Sequence, residues 1–296
     1  MVPLMFAFSR TAYVSKRRRD TLTSRAHEQQ VNERVWQLIL ISIFATATAM
    51  LGAIFATLTV ATGAVIAGMI GFSDGPKSPY HWFAPAWSRI VLAMSFVRVR
   101  VHNPERAFDG NAHIFVANHM SWYDVPVLSS FLPRAKFVSK EEVFKVPIFG
   151  RAMRAVGMVP IRRENRKAAF GSYDMAAKSV RNGNSIVVFP EGTRGTDYPL
   201  RPFKKGPFVL AIASGATIVP IVVHGAREVL PRGSFLVRPR RVDVHLLEPV
   251  SVDGLDYSDR DRLANEVSSR MAAALEGIFG IDNASRTPAS PAVAAG

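Results

Sequence analysis

The residues best suited to chemistry in this chain are His119 and Asp124, in Asn118-His119-Met120-Ser121-Trp122-Tyr123-Asp124. An imidazole and a carboxylate held together can take a proton from a hydroxyl without a metal or cofactor. Within one helix the two would stand about 140° apart, because each residue turns by about 100°. They can meet only if His119 lies in the turn before a helix and Asp124 in its first turn. The flanks allow this. The strand-like run Ile114-Phe115-Val116-Ala117 precedes the pair, Ser121 can act as N-cap with Asp124 at N3, and Pro126 suits a helix start. The helix could also begin two or three residues later. A plainer account is equally compatible with this segment: Ser121 and Asp124 only cap a helix, and His119 is an ordinary loop residue.

A second cluster bears on that choice. Phe189-Pro190-Glu191-Gly192-Thr193-Arg194 follows the apolar run Ser185–Val188. Arg194 can grip a phosphate through its planar fork, Gly192 permits a tight turn, and Glu191 can fix the arginine or a substrate hydroxyl. Further basic groups stand at Lys204-Lys205 and at Arg162-Arg163, the latter closing the run Gly157–Ile161. Ligands of α/β sheets gather at the carboxyl ends of strands, so basic residues at several such ends suit a phosphorylated ligand.

The elements that must position these groups are readable in outline. Strands are expected at 114–117, 137–139, 158–161, 185–189, 218–223 and 242–246, with helices at 168–181 and 208–213 between them. A last helix is expected from Ser258, with Asp261 completing a capping box and Leu263, Val267, Met271 and Leu275 forming one apolar face. This alternation predicts an α/β fold, a largely parallel sheet flanked by helices. The predicted organisation is a basic juxtamembrane segment over 1–34, a helical membrane anchor over 35–97, the α/β domain over 98–282 and a disordered tail over 283–296.

The anchor rests on the absence of charge from Val35 to Ser73. A helix of that length would run to about 60 Å, twice a hydrocarbon core. A hairpin, or a span followed by an interfacial helix, therefore fits better than one straight crossing. Gly52, Gly63, Gly68 and Gly71 offer breaks and close-packing sites. Basic residues flank both ends, Lys16–Arg19 and Arg34 before and Lys77, Arg89, Arg98 and Arg100 after. This pattern predicts that both flanks, and with them the α/β domain, are cytoplasmic. Tyr80–Trp87 reads as an interfacial aromatic belt or as packing against the domain.

The 296 residues are 48% hydrophobic and carry a formal net charge of +14, which favours anionic partners. The basic residues are scattered and no nucleic-acid module is present, which argues against nucleic acid. There is no cysteine, so disulfides, thiolate metal sites and a cysteine nucleophile are excluded. There is no G-x-S-x-G elbow, no P-loop and no H-E-x-x-H. His113, His224 and His245 lack metal-ligand spacing and read as structural.

Together these residues resemble the motifs of the glycerolipid acyltransferase superfamily, specifically the lysophosphatidic acid acyltransferases. The N-H-x-S-x-x-D motif matches Asn118, His119, Ser121 and Asp124. A glycine, apolar strand and arginine match Gly157 through Arg163, with Pro160 in place of the usual aromatic and Arg162 in place of a frequent Asp. F-P-E-G-T-R matches Phe189, Pro190, Glu191, Gly192, Thr193 and Arg194 in full, followed by Gly195 where many members have Ser. An apolar run around a proline matches Val219–Val222 with Pro220.

The resemblance implies transfer of an acyl group from acyl-CoA or acyl carrier protein to the sn-2 hydroxyl of 1-acyl-glycerol-3-phosphate, giving phosphatidic acid at a membrane. It implies His119 as general base, Asp124 as its orienting carboxylate, and no metal or cofactor. The acceptor phosphate would fall to Glu191, Gly192, Thr193 and Arg194, with Arg163 and Lys140. Alternatives are another lyso-lipid acceptor, a non-catalytic protein that binds anionic lipid, and Ser121 acting as a covalent nucleophile.

Overall fold

Helix is the only way a single uncharged segment can satisfy its own backbone polar groups away from water, and the uncharged run is helical as far as Met69. The computed structural model describes residues 4–72, 78–162 and 166–283; Arg163 and the tail from 284 onward lie outside the described residues. The chain divides into a unit of residues 1–44 and a unit of residues 45–296. α1 (Leu4–Ala56) passes through one π-helical turn (Thr57–Ala61) into α2 (Thr62–Met69). The stretch Gln30–Met69 is long and apolar enough to cross a membrane.

After Gly71, whose φ of +93° turns the chain, α3 (Tyr80–Met94) returns antiparallel to residues 52–68. Glycine makes this approach possible. A Cβ at Gly52 would lie 2.6 Å from the Met94 side chain, and one at Gly68 would lie 3.0 Å from the Tyr80 hydroxyl. Between them Trp87 Nε1 donates to Thr57 Oγ1 at 3.1 Å. The aromatic segment divides between its two readings: Trp82 is exposed, whereas Tyr80 is buried and Trp87 packs on Phe149.

The remaining elements alternate: β1 (Arg98–His102), β2 (Ile114–Ala117), α4 (Asp124–Ser129), β3 (Ala135–Lys140), α5 (Phe149–Ala155), β4 (Val159–Ile161) and α6 (Arg166–Arg181). They continue with β5 (Ser185–Val188), α7 (Gly206–Ser214), β6 (Ile218–His224), α8 (Ala226–Val229), β7 (Arg241–Leu246) and α9 (Arg260–Phe279). The seven strands form one sheet in the order β1-β7-β6-β2-β5-β3-β4, parallel at every pairing except β6 with β7. The fold is α/β with helices on both faces, as the alternation predicts. Ile114 and Val116 of β2 pack with α6, α7 and α9, while Phe115 and Ala117 pack with α3, α4 and α8.

Two elements differ from expectation. β1 was not foreseen because Arg-Val-Arg-Val-His at the sheet edge reads as flanking charge rather than as a strand. The expected cap at Ser258 falls instead on a 3-10 turn, Tyr257–Asp259, which leads into the last helix and is capped by Asp256. The Asp256 carboxylate accepts from Ser258 N, and Asp259 accepts from Asp256 N to close the box, so Asp261 is not part of it. Leu263, Val267, Met271 and Leu275 are buried, as their spacing requires.

Gly225 ends β6 at a φ of +95°, and a Cβ there would lie 2.5 Å from the Arg241 carbonyl oxygen. Gly225→Val should cost about 3 kcal/mol or more and lower the melting temperature by several degrees. Gly277→Ala, in open space on α9, should instead stabilise by roughly 0.5–1 kcal/mol. Thermal unfolding of the two variants checks both.

Candidate active site

β2 lies between β5 and β6, so the loops after these three neighbouring strands converge at one end of the sheet. The first residue past β2, Asn118, is fully buried. Its side-chain amide donates to Val223 O at 2.9 Å and accepts from Val223 N at 2.7 Å. The amide thus pairs with β6 much as backbone would, and fixes where the chain turns out of the sheet.

His119 follows. Its ring lies flat on Phe189, the first residue after β5, at 4.0 Å between centroids and 18° between planes. Its Nδ1 meets Asp124 Oδ2 at 2.8 Å. The same oxygen accepts from Met120 N at 2.6 Å and Ser121 N at 2.8 Å. Asp124 is fully buried, while the His119 side chain keeps 14% of its surface open. The structure therefore brings the pair together through a turn.

The helix starts later than Ser121, at Asp124 itself. Ser121 does not cap it in the expected manner. Its Oγ accepts from Tyr123 N at 3.2 Å and donates to Leu230 O at 2.8 Å. A carboxylate in the first turn reaching back to two amides displaces the serine cap. A buried hydroxyl already donated to a carbonyl is also poorly placed to attack a substrate.

Glu191 takes a different part from the one the sequence suggests. It is buried, with Oε1 accepting from His119 N at 2.8 Å and Oε2 from Arg201 N at 3.2 Å. Both oxygens are committed to backbone, so it ties the loop after β5 to the His119 turn rather than gripping phosphate. Burial pushes its carboxyl pKa up, against the two amide bonds that pull it down. Gly195 N donates to His119 O at 2.7 Å and closes the same loop from the other side. Gly192 has a φ of +73°, and Pro190 is buried with its carbonyl accepting from Lys204 N.

Arg194 lies with its guanidinium 4.9 Å from the centre of the Trp122 ring. Arg232 Nη1 donates to the Arg194 carbonyl at 3.0 Å. Burial lowers the Arg194 pKa, the charge of Arg232 lowers it further, and Asp124 opposes both. Among the described residues neither arginine has an acidic partner within an ion-pair distance. Two guanidiniums without acidic partners, close to the His–Asp pair, form an arrangement that can receive an anion. Arg232 and Trp122 were missed by motif reasoning. The signal for Arg232 was the acid-free stretch from Val229 to Val242, which holds Arg232, Arg238, Arg240 and Arg241.

The other expected residues lie apart. Thr193 is exposed in the loop, Gly157 makes the turn before β4 at a φ of +77°, and Pro220 lies inside β6 opposite Val116. Lys140 ends β3 and pairs with Glu142 at 3.3 Å, and Arg162 pairs with Glu141 nearby. An apolar pocket of about 560 Å³, open mouth included, lies beside α4. Its walls include Val60, Ala64, Phe83, Trp87, Val125 and Met158, and Val125 directly follows Asp124.

Comparison with known proteins places the chain among acyltransferases. A family model described as Acyltransferase matches residues 98–224. The 1-acyl-sn-glycerol-3-phosphate acyltransferase LPAT1 of Arabidopsis thaliana is 31% identical over 199 residues, which is 67% of this chain and 54% of that protein. The chain spans about half the length of such plant relatives. The lyso-ornithine lipid O-acyltransferase of Pseudomonas aeruginosa is 30% identical over 60% of this chain and 73% of its own length. The crystal structure of the acyltransferase PlsC from Thermotoga maritima superposes with a TM-score of 0.64 at 25% identity. That match covers 80% of this chain and 95% of the other.

Replacing Glu191 by Gln should turn an amide N–H of the loop against an NH2 group, at a cost of roughly 1–3 kcal/mol. Thr193→Ala, at an exposed site, should stay within about 0.5 kcal/mol of the parent. Urea denaturation of both variants distinguishes a clamp from a surface carboxylate.

Proposed function

Because the chain belongs to the glycerolipid acyltransferase superfamily, we propose that it transfers an acyl group from a thioester to the sn-2 hydroxyl of 1-acyl-glycerol-3-phosphate. The observation that carries this reading is the His119–Asp124 pair standing beside two arginines without acidic partners.

In the proposed step, Asp124 holds the Nδ1–H of His119, which leaves Nε2 as the basic atom. Nε2 takes the proton of the acceptor hydroxyl as its oxygen bonds to the thioester carbonyl carbon. The C–S bond then breaks, and the imidazolium returns the proton to the leaving thiolate. The atoms balance with no cofactor beyond the thioester, whether acyl-CoA or acyl carrier protein. Stacking on Phe189 and the Asp124 bond hold the ring in one orientation, so little reorganisation is needed as charge develops.

Arg194 and Arg232 receive the acceptor phosphate. Lys140 is a secondary candidate, because its solvent-exposed pair with Glu142 is weak and can be exchanged. Arg163, outside the described residues, keeps its place from the motif alone. The apolar pocket next to Val125 takes an acyl chain. The helical segment before β1 anchors the domain at the cytoplasmic face of an anionic membrane, so that the lyso-lipid need not leave the bilayer.

A second reading concerns the acceptor only. The relative that acts on lyso-ornithine lipid is matched over more of its length than the plant proteins are. A panel of acceptors with the purified chain decides between them, and predominant transfer to an acceptor without phosphate would overturn the first reading. His119→Ala should lower kcat by about 10²–10⁴-fold with membrane binding retained. Arg232→Ala should raise KM for the phosphate acceptor about tenfold and spare kcat. Unchanged turnover in His119→Ala would remove His119 as the base, and absence of transfer to every acceptor by the parent chain would support a non-catalytic lipid-binding protein instead.

A further inference from the structure

The loop joining α8 to β7 combines features that no step above uses. Phe235 is 89% exposed and Leu236 39% exposed, yet the loop around them is tightly fixed. Ser234 N donates to Pro231 O at 3.0 Å, Arg238 N to Val229 O at 2.8 Å, and Val237 is buried in the core between α3, α4 and α8. Val237 N also donates to Thr46 Oγ1 at 2.8 Å, which ties the loop to the apolar helix α1. A large ring held out in water on an ordered loop is unfavourable unless something apolar receives it.

The surroundings say what does. Just beyond Thr46, the helix exposes Met50, Leu51, Ile54 and Phe55, each more than half open. Arg232 and Arg238 flank the tip, and Arg240 follows. Arg240 O accepts from Arg98 N, so the start of β1 brings Arg98 beside them. All four arginines are exposed and, among the described residues, none has an acidic partner. An apolar tip continuous with an apolar helix and ringed by unpaired arginines matches the acyl and phosphate layers of an anionic bilayer.

We propose that the loop Pro231–Val237 is a second membrane contact, with Phe235 and Leu236 inserted at the acyl boundary and Arg98, Arg238 and Arg240 on lipid phosphates. The stem of the loop then sets the site against the membrane. Leu230 O holds Ser121, and Arg232 reaches Arg194, so insertion places the anion site at the headgroup plane, where a lyso-lipid presents its phosphate. This last consequence rests on the proposed acyltransfer; the membrane contact does not.

The chain has no cysteine, so single cysteines can be introduced into it without background. Nitroxide labels at Phe235→Cys, Leu51→Cys and Tyr257→Cys would be compared in vesicles of equal parts phosphatidylcholine and phosphatidylglycerol. The label at 235 should relax with lipid-soluble oxygen as the label at 51 does, and be shielded from a water-soluble nickel chelate that reaches 257. Access of the chelate to 235 equal to that at 257 overturns the proposal. Shielding of 235 from both relaxants also overturns it, because a second protein surface would then cover the tip.

Phe235→Asp should lower kcat/KM for an acceptor embedded in vesicles by about tenfold and leave a short-chain, water-soluble acceptor unaffected. Equal effects on both acceptors overturn the headgroup-plane placement. Should the parent protein transfer to no phosphate acceptor, the acyltransfer reading fails while the label depths still decide the membrane contact.

Discussion

One carboxylate oxygen organises the centre of this molecule. Asp124 Oδ2 accepts three hydrogen bonds, from the His119 ring and from the amides of Met120 and Ser121. A fully buried carboxylate is costly unless its charge is met by donors, and here the donors come from the turn it follows. The bonds that offset the burial of Asp124 therefore also define the turn that leads from β2 into α4. Shape and electrostatics are one constraint: the turn needs the carboxylate, and the carboxylate fixes the imidazole.

That constraint reaches outward through backbone rather than through side-chain ion pairs. Asn118 binds the start of the turn to β6, Glu191 binds it to the loop after β5, and Ser121 binds it to the end of α8. All three of these polar side chains are buried, and each meets a main-chain group. Such bonds are hard to exchange for solvent, because breaking one strands a buried partner. Buried hydrogen bonds thus tie together the loops at the carboxyl ends of β2, β5 and β6, as the proposed proton transfer over a single hydrogen-bond length would require.

Local pattern carried much of this into the sequence. The alternation of apolar runs with amphipathic stretches gave the α/β order, and the distance in sequence between His119 and Asp124 was enough to exclude a shared helix face. What local pattern could not reach were contacts set by the fold. Glu191 lies three residues before Arg194 and invites an ion pair, but sheet order brings the His119 amide within hydrogen-bond distance, and burial then commits the carboxylate to backbone. Arg232 lies 38 positions beyond Arg194 and meets it only because β6 neighbours β2. β1 was hidden because an edge strand with one solvated face accepts arginines, and these read as flanking charge.

The pairing of Arg194 with Arg232 carries its own argument. Burial of the Arg194 guanidinium lowers its pKa, and the charge of exposed Arg232 nearby lowers it further. Stability alone would favour an acid between them, and Glu191, three residues before Arg194, is turned away to the backbone. Trp122 can share the charge of Arg194 through its ring face, but it cannot neutralise two guanidiniums. Under the proposed function an entering anion would offset this uncompensated positive charge, which would favour a ligand of high negative charge density over a zwitterion. A phosphate monoester meets that requirement better than a lone carboxylate, because it offers three oxygens and more than one charge to two planar forks.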